Sequence, residues 1–222
     1  PFVTMAKAEF SNSQNTNIQK WSAYISGTAN RQDYLETALK WVSNGDVSRY
    51  MSAHRQDTNI NELKRHFNSV IDWVSTVFPM VEKEMRGLDW GRLYETYHNK
   101  AYDSKYIESK VMELYSDPYV KNRRGVFEYI LGGCVDTKLL EIRVFDEATK
   151  RSVYAKQTTD AELKHISNCP LCANGHDANK DKIWKISEMD ADHVTAWSNG
   201  GATDIKNCQM LCKTHNRVKG NK

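Results

Sequence analysis

Residues 190–220, near the end of the chain, read "DADHVTAWSNGGATDIKNCQMLCKTHNRVKG" and carry the densest group of chemically distinctive residues. Two aspartates and a histidine open this stretch, a glycine turn and an asparagine follow, and a cysteine and a histidine precede its basic end. The turn residues "SNGG" at 198–201 favour a hairpin-like excursion between His193 and Asn207. Metal binding, catalysis and nucleic-acid binding could each draw on this stretch, so its residues have to be divided among them.

Two pairs of candidate metal ligands flank the hairpin. Cys169 and Cys172 are separated by two residues, and Cys212 and His215 repeat that spacing about forty residues later. Two such hooks fit a tetrahedral structural zinc with three sulfurs and one imidazole nitrogen. The segment between them is too polar and too short for a good core of its own, so metal binding should help to fold it. Alternatively, Cys208 and Cys212 share a helix face and complete a four-sulfur site, which leaves His215 free for chemistry.

The adjacent carboxylate and imidazole of Asp192 and His193 have no role in such a zinc site. Metal-assisted hydrolysis of a phosphodiester needs this combination. The carboxylate holds a hard divalent cation such as Mg²⁺ or Mn²⁺, and the neutral imidazole takes a proton from water. The pair therefore favours catalysis over a purely structural role.

Residues 165–222 resemble the HNH nucleases. The "DH" pair, the glycine turn, the asparagine, "LC" and "HNRxK" occur in the order typical of that family. The resemblance implies a ββα-metal fold, in which a hairpin is followed by a helix and braced by zinc, and it implies a metal-dependent DNA endonuclease. His193 would be the general base, Asp192 a ligand of the catalytic cation, and Asn207 the residue that orients the loop carrying the base.

The third position of the family motif differs in this sequence. Many members have a histidine nine residues beyond the middle asparagine, and here that position is Asn216. Asn216 would then take the catalytic metal-ligand position, and the preceding His215 would replace the last zinc cysteine. In this register Cys208 is a small packed residue. Asparagine is a weaker ligand than histidine, but its carbonyl oxygen suits Mg²⁺, and His215 stays an alternative catalytic ligand.

The positive charge of the chain is concentrated in the part that carries the motif. The formal net charge is +3, and residues 1–150 are neutral overall. Basic residues on or beyond the final helix could contact the phosphate backbone of DNA, most simply double-stranded DNA. They are Lys213, Arg217, Lys219 and Lys222. Alternatively, each of these residues is a solvated charge at the end of a helix, without a contact to DNA.

The rest of the chain is expected to be mainly α-helical. Residues 1–30 are polar and irregular in pattern, whereas apolar residues recur at helical spacing from Arg31 onward. We expect an all-α domain at 1–135, a connector at 136–164 and the nuclease module at 165–222. In the connector, "KLLEIRVF" alternates as a strand does, and Asp146 is typical of a helix cap, with the helix running to about Thr158.

The helical part is similar to the region that precedes the HNH module in certain bacterial phage-defence and type IV restriction nucleases. "RQDYLETALKWVS", "FNSVIDWV" and "LDWGRLYETY" carry this likeness. It implies the effector part of an antiviral or restriction protein, with a ParB-like nucleotide-hydrolysing half preceding it. Because the chain begins with Pro1, we expect a fragment of a longer protein. Cleavage of both DNA strands would need either the two active sites of a homodimer or two sequential nicks.

Other classes of function are weighed against this one. No apolar run is long enough to span a bilayer and no export signal is evident, so we expect a cytoplasmic protein without a membrane partner. A non-catalytic zinc-containing module that binds nucleic acid or a protein is the main alternative. An RNA-cleaving toxin would use the same chemistry on a different substrate.

Overall fold

The computed structural model describes residues 1–176 and 178–220, which form two compact units. The first unit comprises residues 1–116 and 123–133, and the second combines residues 117–122 with the chain from residue 134 onward. The segment 136–164, expected as a connector, therefore lies within the second unit. Within the described residues, no helix is both long and apolar enough to cross a membrane.

The first unit is helical. The central helix is α5 (Asn61–Val77), whose apolar residues at three- and four-residue steps, including Leu63, Phe67 and Val74, are fully buried. This apolar face was predicted from the sequence. Its helices are α1 (Phe2–Phe10), α2 (Ile18–Ser22), α3 (Asp33–Val42), α4 (Val47–His54), α5 (Asn61–Val77), α6 (Trp90–Tyr97), α7 (Ser104–Ser116) and α8 (Val126–Leu131).

The expectation that the first thirty residues are irregular is wrong. Residues 2–10 form α1, which buries Phe2, Ala6 and Phe10 on one face. The ring of Phe10 packs against Phe67 with centroids 5.0 Å apart. Residues four apart share a helix face, so Phe2, Ala6 and Phe10 form one buried stripe. Besides Phe67, Phe10 also contacts Trp21, so the helix packs against more than one part of this unit.

The second unit contains a two-stranded sheet and a final helix. Strands β1 (Met189–His193) and β2 (Cys208–Cys212) pair antiparallel, with His193 opposite Cys208 and Met189 opposite Cys212. The remaining helices are α9 (Glu147–Lys164), α10 (Pro170–Ala173) and α11 (Lys213–Lys219). The chain thus passes from the hairpin directly into α11. This confirms the predicted fold class, mainly α with a small ββα module at the end.

The strand predicted at "KLLEIRVF" is wrong. Thr137–Leu140 form a 3₁₀ turn, and the residues from there to Asp146 form a loop. The carbonyl of Leu140 accepts hydrogen bonds from the backbone N–H groups of Lys121 and Asn122, at 3.0 and 3.1 Å. A strand needs a partner with free backbone groups, and this segment meets a loop instead. The alternating apolar residues do not share one buried face, because Leu140 is buried whereas Val144 is 55% exposed.

Helix α9 is longer than expected, because it continues past Thr158 to Lys164. Asp146 caps it as predicted, accepting a hydrogen bond from the N–H of Thr149 at 2.7 Å. The side chain of Gln157 bridges α9 to the edge of β2, donating to the carbonyl of Met210 at 2.7 Å and accepting from its N–H at 3.1 Å. Helix α9 therefore positions the hairpin.

Candidate metal centre and active site

Four metal-ligating side chains converge where the hairpin joins α11. They are Cys169, Cys172, Cys212 and His215, and their ligand atoms all lie within 4.8 Å of one another. Cys169 and Cys172 flank the start of α10, Cys212 ends β2, and His215 lies in the first turn of α11. The three cysteines are buried. These residues could hold a metal ion, as predicted from the paired spacing.

The distances within this cluster match a tetrahedral zinc site. The Nδ1 atom of His215 lies 3.3 Å from the sulfurs of Cys172 and Cys212 and 3.6 Å from that of Cys169. The sulfurs of Cys172 and Cys212 are 3.8 Å apart. Zinc bonds of about 2.3 Å to sulfur and about 2.0 Å to nitrogen give tetrahedral edges of about 3.8 and about 3.5 Å. The donor set therefore fits zinc in chemistry and in size.

Cys208 does not belong to this cluster. It lies at the far end of β2 from Cys212, and four strand steps of about 3.3 Å separate the two residues by roughly 13 Å. Burial raises the pKa of its thiol to about 11. Among the ligands, burial and the neighbouring Cys169 and Cys212 sulfurs raise the pKa of Cys172 to about 12. A metal ion would have to displace that proton, because cysteine binds zinc as the thiolate.

The turn that presents the first two cysteines is fixed by a buried asparagine. The side chain of Asn168 donates to the Thr158 hydroxyl and to the Trp184 carbonyl, both at 2.9 Å, and accepts from the Trp184 N–H at 2.8 Å. Asn168 is 1% exposed, so its polar atoms must be paired within the protein. This residue gave no signal in the sequence beyond its place before Cys169.

His193 lies at the end of β1 in a half-buried position. Its Nε2 atom is 2.9 Å from the Thr203 hydroxyl oxygen, and its ring lies against Phe145 with centroids 4.5 Å apart. Burial lowers the pKa of His193; the charge of Asp192 opposes this shift, whereas Lys219 adds to it. The imidazole is therefore kept neutral near pH 7, which is the form that can accept a proton.

Asn207 fastens the loop between the strands. Its side-chain oxygen accepts from the Thr195 N–H at 2.8 Å, and its amide donates to the carbonyls of Thr195 and Ala202 at 3.0 and 2.8 Å. Gly201 lies against this clamp, and a Cβ there would be 1.9 Å from the Thr195 carbonyl oxygen. Residue 201 must therefore be glycine for the loop to close in this form.

Asp192 is surrounded by polar groups on the side of the hairpin that faces α11. The ammonium group of Lys219 contacts both its Oδ2 atom and the backbone carbonyl of His193. The Gln209 amide donates to the same carboxylate oxygen at 3.3 Å. These two oxygens thus already bind a positive charge.

Asn216 lies on the same helix as Lys219, one turn earlier, and its amide donates to the Asp190 carboxylate at 3.4 Å. Because strand residues two apart share a face, Asp190 and Asp192 point to the same side of β1. The structure therefore brings Asn216 to this acidic face, beside Asp190. From the sequence, Asp192 was the only carboxylate expected to share the catalytic cation with Asn216.

The predicted nucleic-acid contacts have different surroundings. Lys213 and Arg217 are exposed on α11, whereas Lys219 is engaged by Asp192 as described above. Lys222 lies outside the described residues.

A basic group that the sequence did not reveal lies beside His193. The Arg143 guanidinium carbon is 4.1 Å from the centre of the Trp197 ring, and the Lys138 ammonium is 4.9 Å from it. Lys138 also donates to the Trp197 carbonyl at 3.2 Å. Arg143 and Trp197 line a cavity of about 320 Å³ together with Asp192, His193 and Lys219. Residues some fifty positions apart form this cavity, so no local motif could indicate it.

A hairpin running into a helix, with four candidate metal ligands at their junction, defines this part as a ββα module. The model of the HNH endonuclease family matches residues 169–222. No match was found among curated proteins or among solved structures. The family match supports an HNH domain at the end of the chain, and such a domain suggests a nuclease.

Proposed function

We propose that the second unit is a metal-dependent DNA endonuclease in which His193 is the general base and Asp192 and Asn216 are ligands of a catalytic Mg²⁺ or Mn²⁺. The observation that carries this proposal is the cavity beside the hairpin. It combines a neutral imidazole with the oxygens of Asp192 and of the His193 carbonyl, which already bind the Lys219 cation. None of these groups is needed for the zinc cluster, for which Cys169, Cys172, Cys212 and His215 suffice.

Residues in the cavity and around it divide the work of hydrolysis. A bound divalent cation would neutralise the scissile phosphate and stabilise the leaving oxygen. His193 takes the proton from the attacking water, and Asn207 holds the loop that follows His193 in place. The exposed cations Arg143, Lys213 and Arg217 bind the phosphate backbone, which is negatively charged whatever the base sequence.

A non-catalytic binding module is the second candidate, because Lys219 occupies the very carboxylate that the metal would need. Cleavage of supercoiled plasmid by the zinc-loaded chain in Mg²⁺ or Mn²⁺ separates the two functions. We expect nicked or linear product, and none in the presence of a chelator that removes Mg²⁺. DNA binding without any cleavage, at full zinc content, would instead favour the binding module. Parallel reactions with RNA distinguish an RNA-cleaving toxin.

We also propose that this nuclease serves bacterial antiviral defence or restriction, joined in the native protein to a nucleotide-hydrolysing half. Support comes from the likeness of the helical part, in stretches such as "FNSVIDWV", to defence nucleases. Expression of the chain with and without the His193→Ala change during phage infection tests this role. Protection by the unaltered chain alone is the expected result, and equal plaque counts for both would contradict it.

Replacing Lys219 by methionine should lower the Mg²⁺ concentration needed for half-maximal nicking. The ammonium and a divalent cation compete for the Asp192 carboxylate, so removing the charge strengthens metal binding by roughly tenfold, the effect of about 1.4 kcal/mol. Calorimetric titration with Mn²⁺ in the absence of DNA measures this directly. Lys213→Met, an exposed change on the same helix, is the control. Unchanged Mn²⁺ affinity in the Lys219 variant would contradict the assignment of Asp192 as ligand.

Substitutions of the adjacent residues His215 and Asn216 should affect the two metal sites differently. We expect His215→Ala to lose zinc, because the imidazole supplies one of four donors. Asn216→Ala should keep zinc and lose Mg²⁺-dependent cleavage, since its side chain lies on the acidic face of β1. Zinc content by elemental analysis and plasmid nicking report on the two sites. The reverse pattern would move His215 into the catalytic site.

A further inference from the structure

We propose that Thr203 is a positioning residue that fixes His193 in one tautomer, with its proton on Nε2 and its lone pair on Nδ1. The catalytic meaning of this inference rests on the proposed function, in which Nδ1 is the atom that takes the proton from water. The tautomer itself follows from the hydrogen bonds around Thr203 and does not depend on that function.

The assignment comes from counting donors and acceptors. A threonine hydroxyl has one proton to donate, and a backbone carbonyl can only accept. The Thr203 hydroxyl is hydrogen-bonded to the carbonyl oxygen of Ile142, so its proton is committed there. The same hydroxyl oxygen lies 2.9 Å from Nε2 of His193. It can only accept in that contact, and therefore Nε2 must carry the proton.

The surroundings leave little freedom for another arrangement. Thr203 is only 9% exposed, so water cannot readily replace either of its partners. Phe145 lies against the His193 ring at a tilt of 40°, which limits rotation of the ring. Within the part of the chain that the structure describes, Nδ1 has no hydrogen-bond partner, so its lone pair stays available. If the proton were on Nδ1, the Thr203 hydroxyl would have to break its hydrogen bond to the Ile142 carbonyl in order to donate to Nε2.

This network reaches outside the region that matches the nuclease family. Ile142 and Phe145 belong to the loop before α9, whereas the family match begins at residue 169. Asn207 holds the backbone next to Thr203 in place, since its amide donates a hydrogen bond to the Ala202 carbonyl. The loop before α9 therefore acts on the base in two ways, through the Ile142 carbonyl that fixes the Thr203 hydroxyl and through the Phe145 ring.

Nitrogen NMR of the zinc-loaded full chain, with ¹⁵N-labelled histidine, tests the tautomer. The signals of His193 are identified by their loss in His193→Gln, and the spectra are recorded where the imidazole is neutral. We expect a protonated Nε2 and an unprotonated Nδ1 in the wild type and in Thr203→Ser, which keeps the hydroxyl. Thr203→Val has nearly the same shape without the hydroxyl and should give a mixture of tautomers.

Plasmid cleavage by the same variants tests the catalytic consequence. Partners that fix the tautomer of metal-bound histidines typically contribute about ten- to hundredfold, and we take the same range for the partner of His193. We therefore expect Thr203→Val to lower kcat by about that factor, with KM little changed, and Thr203→Ser to restore most of the rate.

A wild-type spectrum with the proton on Nδ1 would overturn the inference, as would unchanged tautomer and kcat in Thr203→Val. If Thr203→Val does not fold, the wild-type spectrum alone decides. An inactive wild type with the expected tautomer would refute the nuclease proposal and leave the tautomer assignment standing.

Discussion

Replacing Cys169 by serine should abolish zinc binding and unfold the second unit while the first unit stays folded. Three of the six residues in the buried cluster around the hairpin are the cysteine ligands themselves, and the other three are Met189, Met210 and Leu211. Structural zinc contributes about 10–16 kcal/mol in zinc-finger peptides, against a total stability of about 5–15 kcal/mol for an ordinary domain. The few apolar side chains of this cluster cannot replace it.

Hydrogen exchange and zinc analysis measure this outcome. Amide protection should be lost in β1 and β2 and retained in α5, which has a core of its own. Cys208→Ser is the matched control, because Cys208 is buried on the same hairpin but lies outside the metal cluster. We expect that control to keep its zinc. Full zinc content and unchanged protection in the Cys169 variant would refute the zinc site.

Replacing His193 by alanine should lower the rate of plasmid nicking by about a hundred- to ten-thousandfold, the usual contribution of a general base. The fold should survive, since His193 is only half-buried and the hairpin is held by Gln157 and by the metal cluster. Zinc content and DNA affinity should therefore stay near the wild-type values. The expected loss is one of catalysis alone.

The matched control for this variant is His176→Ala, which alters an exposed histidine in the same unit. It should cleave at the wild-type rate. Equal activity of the His193 variant and the wild type would show that another group activates water, and the proposed mechanism would fail. Such a result would leave the zinc assignment intact, because His193 is not part of that cluster.

The metal cluster also has a geometric role for the candidate active site. Cys212 ends β2 and His215 lies three residues later in α11, so both ends of this junction belong to one cluster. The same helix carries Asn216 and Lys219, whose side chains reach Asp190 and Asp192 on β1. A metal ion in the cluster would fix the angle at which α11 leaves the sheet. Loss of zinc should therefore disturb the acidic face as well.

Local spacing was sufficient to predict several features from the sequence. The ligand cluster was found because Cys169 and Cys172, and then Cys212 and His215, repeat one short interval. The helix α5 was found because its apolar residues recur at the helical period. The hairpin was indicated by its glycine turn. In each case the signal is a short interval between neighbouring residues, which backbone geometry places on one side of the chain. The two ligand pairs were expected to meet because four donors complete one tetrahedral site.

The predictions that were wrong, and the residues that were missed, depend on contacts between distant parts of the chain. Helix α1 and the segment 137–146 both meet distant partners: Phe10 of α1 packs against Phe67, and the Leu140 carbonyl accepts hydrogen bonds from the N–H groups of Lys121 and Asn122. Arg143 and Thr203 gave no signal, because each acquires its meaning from a residue fifty or more positions away.

From the residues alone we could predict a two-stranded module at 165–222 with four candidate metal ligands and an acid–histidine pair. The surroundings of that pair emerged only from the folded arrangement, in which Lys219 contacts Asp192, Phe145 and Thr203 contact His193, and Asn216 contacts Asp190. The reason is physical. Two metal ligands separated by two residues are brought together by the local backbone. The protonation and charge of a buried site, in contrast, depend on every element that packs around it.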